Sequence, residues 1–163
     1  SPHIPLSSYF EYLVVRIQNI LFLCRIPGAT TLVLARVSND NVEVVSVGDS
    51  SAIIELTDGT VHTTERGEYS PNHPYFLSGP RPIDSELIAY YQMETKNMST
   101  LILCTDGVTD NLFVKDIIEA QSAEEIANNA VSVFKHKLSP TPYKDGTRGK
   151  KDDVTVVRLS FEH

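Results

Sequence analysis

Asp49, Asp106, Asp110, Asp152 and Asp153 are the residues of this chain whose placement suggests chemistry. Each borders a strongly apolar run: Asp49 in VVSVGDSSAII, Asp106 and Asp110 in LILCTDGVTDN, Asp152 and Asp153 in GKKDDVTVV. Such runs read as buried strands, and the ends of strands in one sheet are neighbours in space. Gathered there, the acids would share one small volume. Two carboxylates about 4 Å apart repel by roughly 4 kcal/mol at an effective dielectric of about 20. A divalent cation reverses that sign. Oxygen donors without His or Cys suit Mg2+ or Mn2+ better than zinc or copper. The competing account is plain: Asp and Gly form turns, and one Asp-Gly after a strand is more often a turn than a ligand. Asp58-Gly59 in TDGT belongs to that account outright, as a hairpin turn. Three acidic turns beside three apolar strands weaken it, although periodicity alone does not choose between turn and site.

Other site chemistries fail on particular residues. An aspartate-nucleophile phosphatase carries Asp-x-Asp after an apolar strand, and here Cys104 stands where the nucleophile belongs. No Gly-x-x-x-x-Gly-Lys-Ser/Thr loop occurs, so a nucleotide P-loop is excluded. An EF-hand loop, with its alternating acids and closing Glu, is absent too. His62, His73 and His136 have no ligand spacing. His73, in PNHPYF, is the one of these in a loop that could approach a site.

Composition narrows the partners. The net charge of −7 leaves no basic surplus for gripping nucleic acid. No uninterrupted apolar run reaches the roughly 18 residues a membrane span needs. The best candidate, YLVVRIQNILFLC, is broken by Arg16, Gln18 and Asn19. Cys24 and Cys104 lie in apolar runs outside any CxxC pair, which predicts reduced core thiols and an intracellular protein. Lys144, Arg148, Lys150 and Lys151 form a basic stretch. It reads first as a solvated loop, and second as an attractor of phosphoprotein anions.

The elements that must position these acids follow from pattern. Residues 1–8 carry two prolines and no period, and predict a loose terminus. Phe10, Leu13, Val14, Ile17, Leu21 and Cys24 predict a helix over 9–24, widened by Ile20 and Phe22 and so substantially buried. Residues 28–64 predict an antiparallel meander broken midway at Gly48-Asp49. Residues 65–86, with four prolines, predict a long surface loop. A strand pair follows at about 87–93 and 99–105. Apolar spacing from Val114 to Phe134 predicts two helices, the second opened by a capping box of Ser122 and Glu125. VTVVRLSF closes as a strand. Strands, then helices, then a strand predicts an α+β fold with helices covering antiparallel sheets.

PGATTLVLA, VVSVGDSSAII, LILCTDGVTDN and GKKDDVTVV stand in an order and rough spacing that resembles the metal-dependent Ser/Thr protein phosphatases of type 2C. HPYFLSGP looks most like the shorter branch related to the mitochondrial and azacytidine-resistance-type members. The resemblance covers about residues 27–160 and implies an antiparallel β-sandwich flanked by helices. It makes residues 1–163 one partial domain, with a helix at 9–24 and a sheet-and-helix core at 28–160. It implies hydrolysis of phosphoserine and phosphothreonine in phosphoprotein substrates by a water activated between two metals about 3.5–4 Å apart. By position, Asp106 and Asp152 match ligands of the two-metal core, and Asp49 and Asp110 match acids near a third, weaker Mg2+ or Mn2+. Gly48 and Gly107 match turn residues, and Asp153 a supporting position. The compartment implied is cytoplasmic or mitochondrial.

One departure matters. The family's N-terminal segment carries Asp-Gly-x-Gly-Gly, whose Asp bridges both metals. This chain has no such motif, and before Gly28 its single acid is Glu11. The expectation is a C-terminal part of a longer enzyme. The alternative is a catalytically inactive phosphatase-like domain that binds or regulates.

Overall fold

A computed structural model describes residues 6–70, 73–79, 83–136 and 151–162. The first element, α1 (Leu6–Leu23), starts three residues earlier than the apolar period predicts. Phe10 and Val14 are buried, and Val14, Ile17 and Leu21 pack against Val47 and Leu77. The helix is not buried all round, as its apolar content predicts. Ile20 and Phe22 are 56% and 62% exposed. A helix laid on a flat sheet covers one stripe, and these residues project from the other side.

The strands are β1 (Leu32–Val37), β2 (Asn41–Val47), β3 (Ser51–Leu56), β4 (Val61–Thr63), β5 (Glu68–Ser70), β6 (His73–Pro74), β7 (Ala89–Glu94), β8 (Met98–Cys104) and β9 (Val156–Ser160). They pair antiparallel into sheets ordered β1-β2-β7 and β4-β3-β8-β9, with β5-β6 as a small third pair. The predicted meander is therefore divided between two sheets. At Gly48 the chain leaves the first sheet for the second. Gly48 has φ +101°, and a Cβ there would stand 2.5 Å from Thr31 Cγ2 and 2.6 Å from the Tyr75 carbonyl oxygen. Only glycine turns this corner. The predicted strand pair is divided in the same way, with β7 beside β2 and β8 beside β3. The turn at Asp58-Gly59 forms as the dipeptide predicts, with Asp58 Oδ1 accepting the Thr60 N–H at 2.8 Å.

The sheets stack face to face over Val42, Val44, Ala52, Ile54, Met98 and Leu101. On the outer face of the second sheet, Ile53, Ile102 and Cys104 meet residues of α2 (Asp106–Thr109), α3 (Val114–Glu119) and α4 (Ala123–His136). The layers run helix, sheet, sheet, helix, the flanked sandwich of an α+β fold. The Ser122 hydroxyl accepts the Glu125 N–H at 3.1 Å to open α4. Its reciprocal bond lands one residue early, from the Gln121 N–H to Glu125 Oε2 at 2.7 Å. Among the described residues no helix is long and apolar enough to cross a membrane.

Two further expectations change. Residues 65–86 are not simply a surface loop. Leu77 is fully buried and exchanges backbone hydrogen bonds with Thr30 at 2.8 and 3.0 Å. Cys24 is not a core residue. It is exposed just beyond α1, while Cys104 is buried and its thiol is pushed by desolvation up to about 12. A thiolate reagent at pH 8 should therefore label one thiol per native chain quickly, and the second only in denaturant. Two fast thiols in the native state would contradict the burial of β8.

Candidate functional site

The register of the second sheet explains why the acids meet. Cys104 of β8 pairs with Ser51 of β3 on one side and Val156 of β9 on the other. Asp49 lies two residues before Ser51, Asp106 two after Cys104, and Asp152 four before Val156. In antiparallel strands these positions share one end of the sheet. The fourth strand delivers a charge there as well. Thr63 of β4 pairs with Ile53, and Arg66 follows three residues on.

Hydrogen bonds lace this end together. The Thr105 N–H donates to the Thr155 carbonyl at 3.2 Å, and the Thr155 N–H donates to the Thr105 hydroxyl at 3.0 Å. That hydroxyl donates in turn to the Asp153 carbonyl at 3.2 Å. Asp153 thus contributes its backbone, while its side chain is exposed. Asp152 Oδ1 accepts the Asp153 N–H at 2.9 Å. Gly107 stands against this segment. It lies inside the single turn of α2 and is not among the positive-φ glycines, so a sharp bend is not what requires it. Space requires it: a Cβ would run into the Asp153 carbonyl oxygen and stand 3.4 Å from the Asp152 Cβ.

The electrostatics follow from this crowding. Asp49 is 8% exposed. Burial raises its carboxyl above the ordinary range, and the nearby charge of Asp106 adds to the shift. Asp110 sits one turn beyond Asp106 and donates its N–H to the Asp106 carbonyl at 2.8 Å. Its side chain, 4% exposed, accepts a hydrogen bond from Arg66 Nη2. The same nitrogen donates to the Thr109 hydroxyl at 2.8 Å, and Nη1 lies 3.8 Å from Glu68 Oε1. Burial works against the charge on Arg66, yet Asp110 and Glu68 hold its proton more firmly than usual.

All four predicted acids come off this end, with Gly48 and Gly107 at its corners. The donors are carboxylates, as Mg2+ or Mn2+ prefers. Their number falls short. Among the described residues no three of His, Cys, Asp and Glu converge closely enough to hold an ion. His73 is exposed on β6, paired with Ser70. His62 is exposed on β4, opposite Ile54. Lys151 is exposed, and Lys144, Arg148 and Lys150 lie outside the described residues. Sequence reasoning misses Arg66. A lone Arg in TTERGEY carries no signal until the register of β4 is known.

The family model described as protein phosphatase 2C matches residues 27–139. The chain belongs to the protein phosphatase 2C family. Among its relatives, protein phosphatase 2C homolog 7, mitochondrial, of Saccharomyces cerevisiae is 27% identical, over 82% of this chain and 50% of its own length. "Probable protein phosphatase 2C 62" of Arabidopsis thaliana is 29% identical over 82% of this chain, but over 21% of its own length. The chain thus spans between a fifth and a half of these two curated 2C relatives. Solved folds agree. The Mycobacterium tuberculosis serine/threonine phosphatase PstP/Ppp superposes with a TM-score of 0.70 at 18% identity, covering 99% of this chain and 75% of that one. The Staphylococcus aureus serine/threonine phosphatase Stp1 gives 0.67 at 17% identity, covering 100% and 72%.

Proposed function

We propose that this 2C-family chain forms part of an enzyme that hydrolyses phosphoserine and phosphothreonine in phosphoproteins. One observation carries the reading: all four strands of one sheet deliver charged residues, Asp49, Arg66, Asp106 and Asp152, to a single end in a chain of this family. We take the ion to be Mg2+ or Mn2+, with Asp106 and Asp152 as core ligands and Asp49 and Asp110 near a third position. These residues supply part of a donor set. The rest, including the carboxylate of Asp-Gly-x-Gly-Gly, would come from residues beyond this sequence. Two free cysteines and the mitochondrial relative support an intracellular compartment, cytoplasmic or mitochondrial.

The shortage of converging acids favours a second reading, a phosphatase-like domain that binds without hydrolysing. Phosphate release separates the two. The full-length protein, given a phosphothreonine peptide and Mn2+, is expected to release inorganic phosphate and to stop when the ion is chelated. A protein that is folded by circular dichroism and silent with Mn2+ would belong to the second reading.

A further inference from the structure

Asn111 is completely buried, between Asp110 and the core residue Leu112. An amide costs free energy in such a place unless its hydrogen bonds are made, and a leucine would bury there without that cost. The bonds show what the amide does. α2 is a single turn of four residues. Asp106 opens it and Asp110 follows its last residue, so the turn sets how the two carboxylates stand to each other. In a regular helix the Gly107 carbonyl would accept the N–H of residue 111. Here that N–H goes to the Val108 carbonyl at 3.0 Å, which also accepts the Leu112 N–H at 2.9 Å. The backbone donor due to Gly107 is thus diverted, and Gly107 is itself buried. A buried carbonyl needs a partner. Asn111 Nδ2 donates to it at 2.8 Å. The side chain takes the place of the diverted backbone donor.

We propose that Asn111 is a positioning residue, whose amide clasps the turn of α2 so that Asp106 and Asp110 keep one separation and one direction during phosphate release. The inference rests on the phosphatase reading of these acids. So short a turn has no helical cooperativity to hold it. The bond from the Asp110 N–H to the Asp106 carbonyl, at 2.8 Å, closes one side. The Asn111 amide closes the next. Val108 and Leu112 anchor the turn in the core with Ile102 and Cys104. The clasp also reaches a third acid. The Gly107 peptide that it holds is packed against the Asp153 carbonyl and the Asp152 Cβ. A shift of this peptide therefore moves Asp106 and Asp110 against Asp152. Misplacing a reacting group by about 1 Å can cost on the order of a hundredfold in rate.

Asn111→Ala and Asn111→Ser, made in the full-length protein, test this as a pair. The two leave nearly the same space, but a serine hydroxyl can donate to the carbonyl four residues back and alanine cannot. Both are assayed on a phosphothreonine peptide with Mn2+, at a temperature where circular dichroism shows them folded. Asn111→Ala is expected to have a kcat at least about tenfold below that of Asn111→Ser, with KM within about threefold, and Asn111→Ser to keep about a third or more of the unaltered kcat. Hydrogen exchange supplies a readout apart from activity: the Asp110 and Leu112 amides should exchange about tenfold faster in Asn111→Ala than in Asn111→Ser, while β3 and β8 keep their protection. An amide that served stability alone would lower the melting midpoint and leave the folded variants equal in kcat. Equal kcat in the pair, whether high or low, or equal exchange at Asp110 and Leu112, therefore overturns the positioning role and leaves the phosphatase reading in place. An unaltered full-length protein that releases no phosphate takes both down together. Should Asn111→Ala not fold, Asn111→Val against Asn111→Thr repeats the comparison at matched shape, and equal kcat again overturns the proposal.

Discussion

Asp106→Asn is expected to lower phosphate release by the full-length protein at least a hundredfold, about the scale of losing one preorganised electrostatic group. The substitution keeps the size and shape of the side chain and removes its charge. Asp106 is the member of the cluster that begins the turn after β8, with Asp49 within reach of its field and Asp152 beside Gly107. Stability should move the other way. Burial, and after it the charge of Asp106, both act against the ionised form of Asp49. A carboxylate whose folded pKa is raised weakens folding as pH climbs through the window above its ordinary value of 3.8. Removing the Asp106 charge relieves part of that cost, so the variant should melt no lower than the unaltered protein at pH 7 and should lose less stability between acid and neutral pH. Activity lost together with stability would point to a structural role. Unchanged activity would remove Asp106 from the site. Opposed movements of rate and stability are the signature of a site that holds charge for a partner.

The acids were legible in the sequence because the ends of hydrophobic runs are visible there. Asp49 and Asp106 stand where a run stops and Asp152 just before one begins, and sheet register does the rest. The distribution of strands between sheets was not legible. β2 is buried from Val42 to Val47, facing the sheet interface with Val42 and Val44 and α1 with Val47. A strand covered on both faces has no alternation to reveal its neighbours. The division of β1–β4 therefore waits on the corner at Gly48. α1 misled in the opposite direction. Its apolar content exceeds what one sheet face can cover, so Ile20 and Phe22 counted toward a buried helix that the structure leaves half open. Arg66 needed long-range knowledge of another kind: its partner Asp110 lies 44 residues away.

Gly107→Ala sets two effects of known size against each other. At a helical position without positive φ, alanine is ordinarily the better residue by about 1 kcal/mol. Local propensity therefore predicts a stabilised α2. The packing opposes this. The new methyl would meet the Asp153 carbonyl oxygen, a backbone atom that cannot rotate aside, with the carbonyl carbon at 3.1 Å. Thr105 and Thr155 tie that backbone to the end of β8 through bonds of 3.0–3.2 Å, so relief requires prising the two segments apart. Overpacking in such a place costs about 1–3 kcal/mol, and more when the obstacle is backbone. The clash should win, with a net loss of about 2 kcal/mol in urea unfolding. Because the displaced segment carries Asp152, phosphate release should fall even at temperatures where the variant remains folded. Full stability in Gly107→Ala would mean that the approach of α2 to residues 152–153 is looser than the lacing implies. The end of the sheet would then not be held rigidly enough to position its acids.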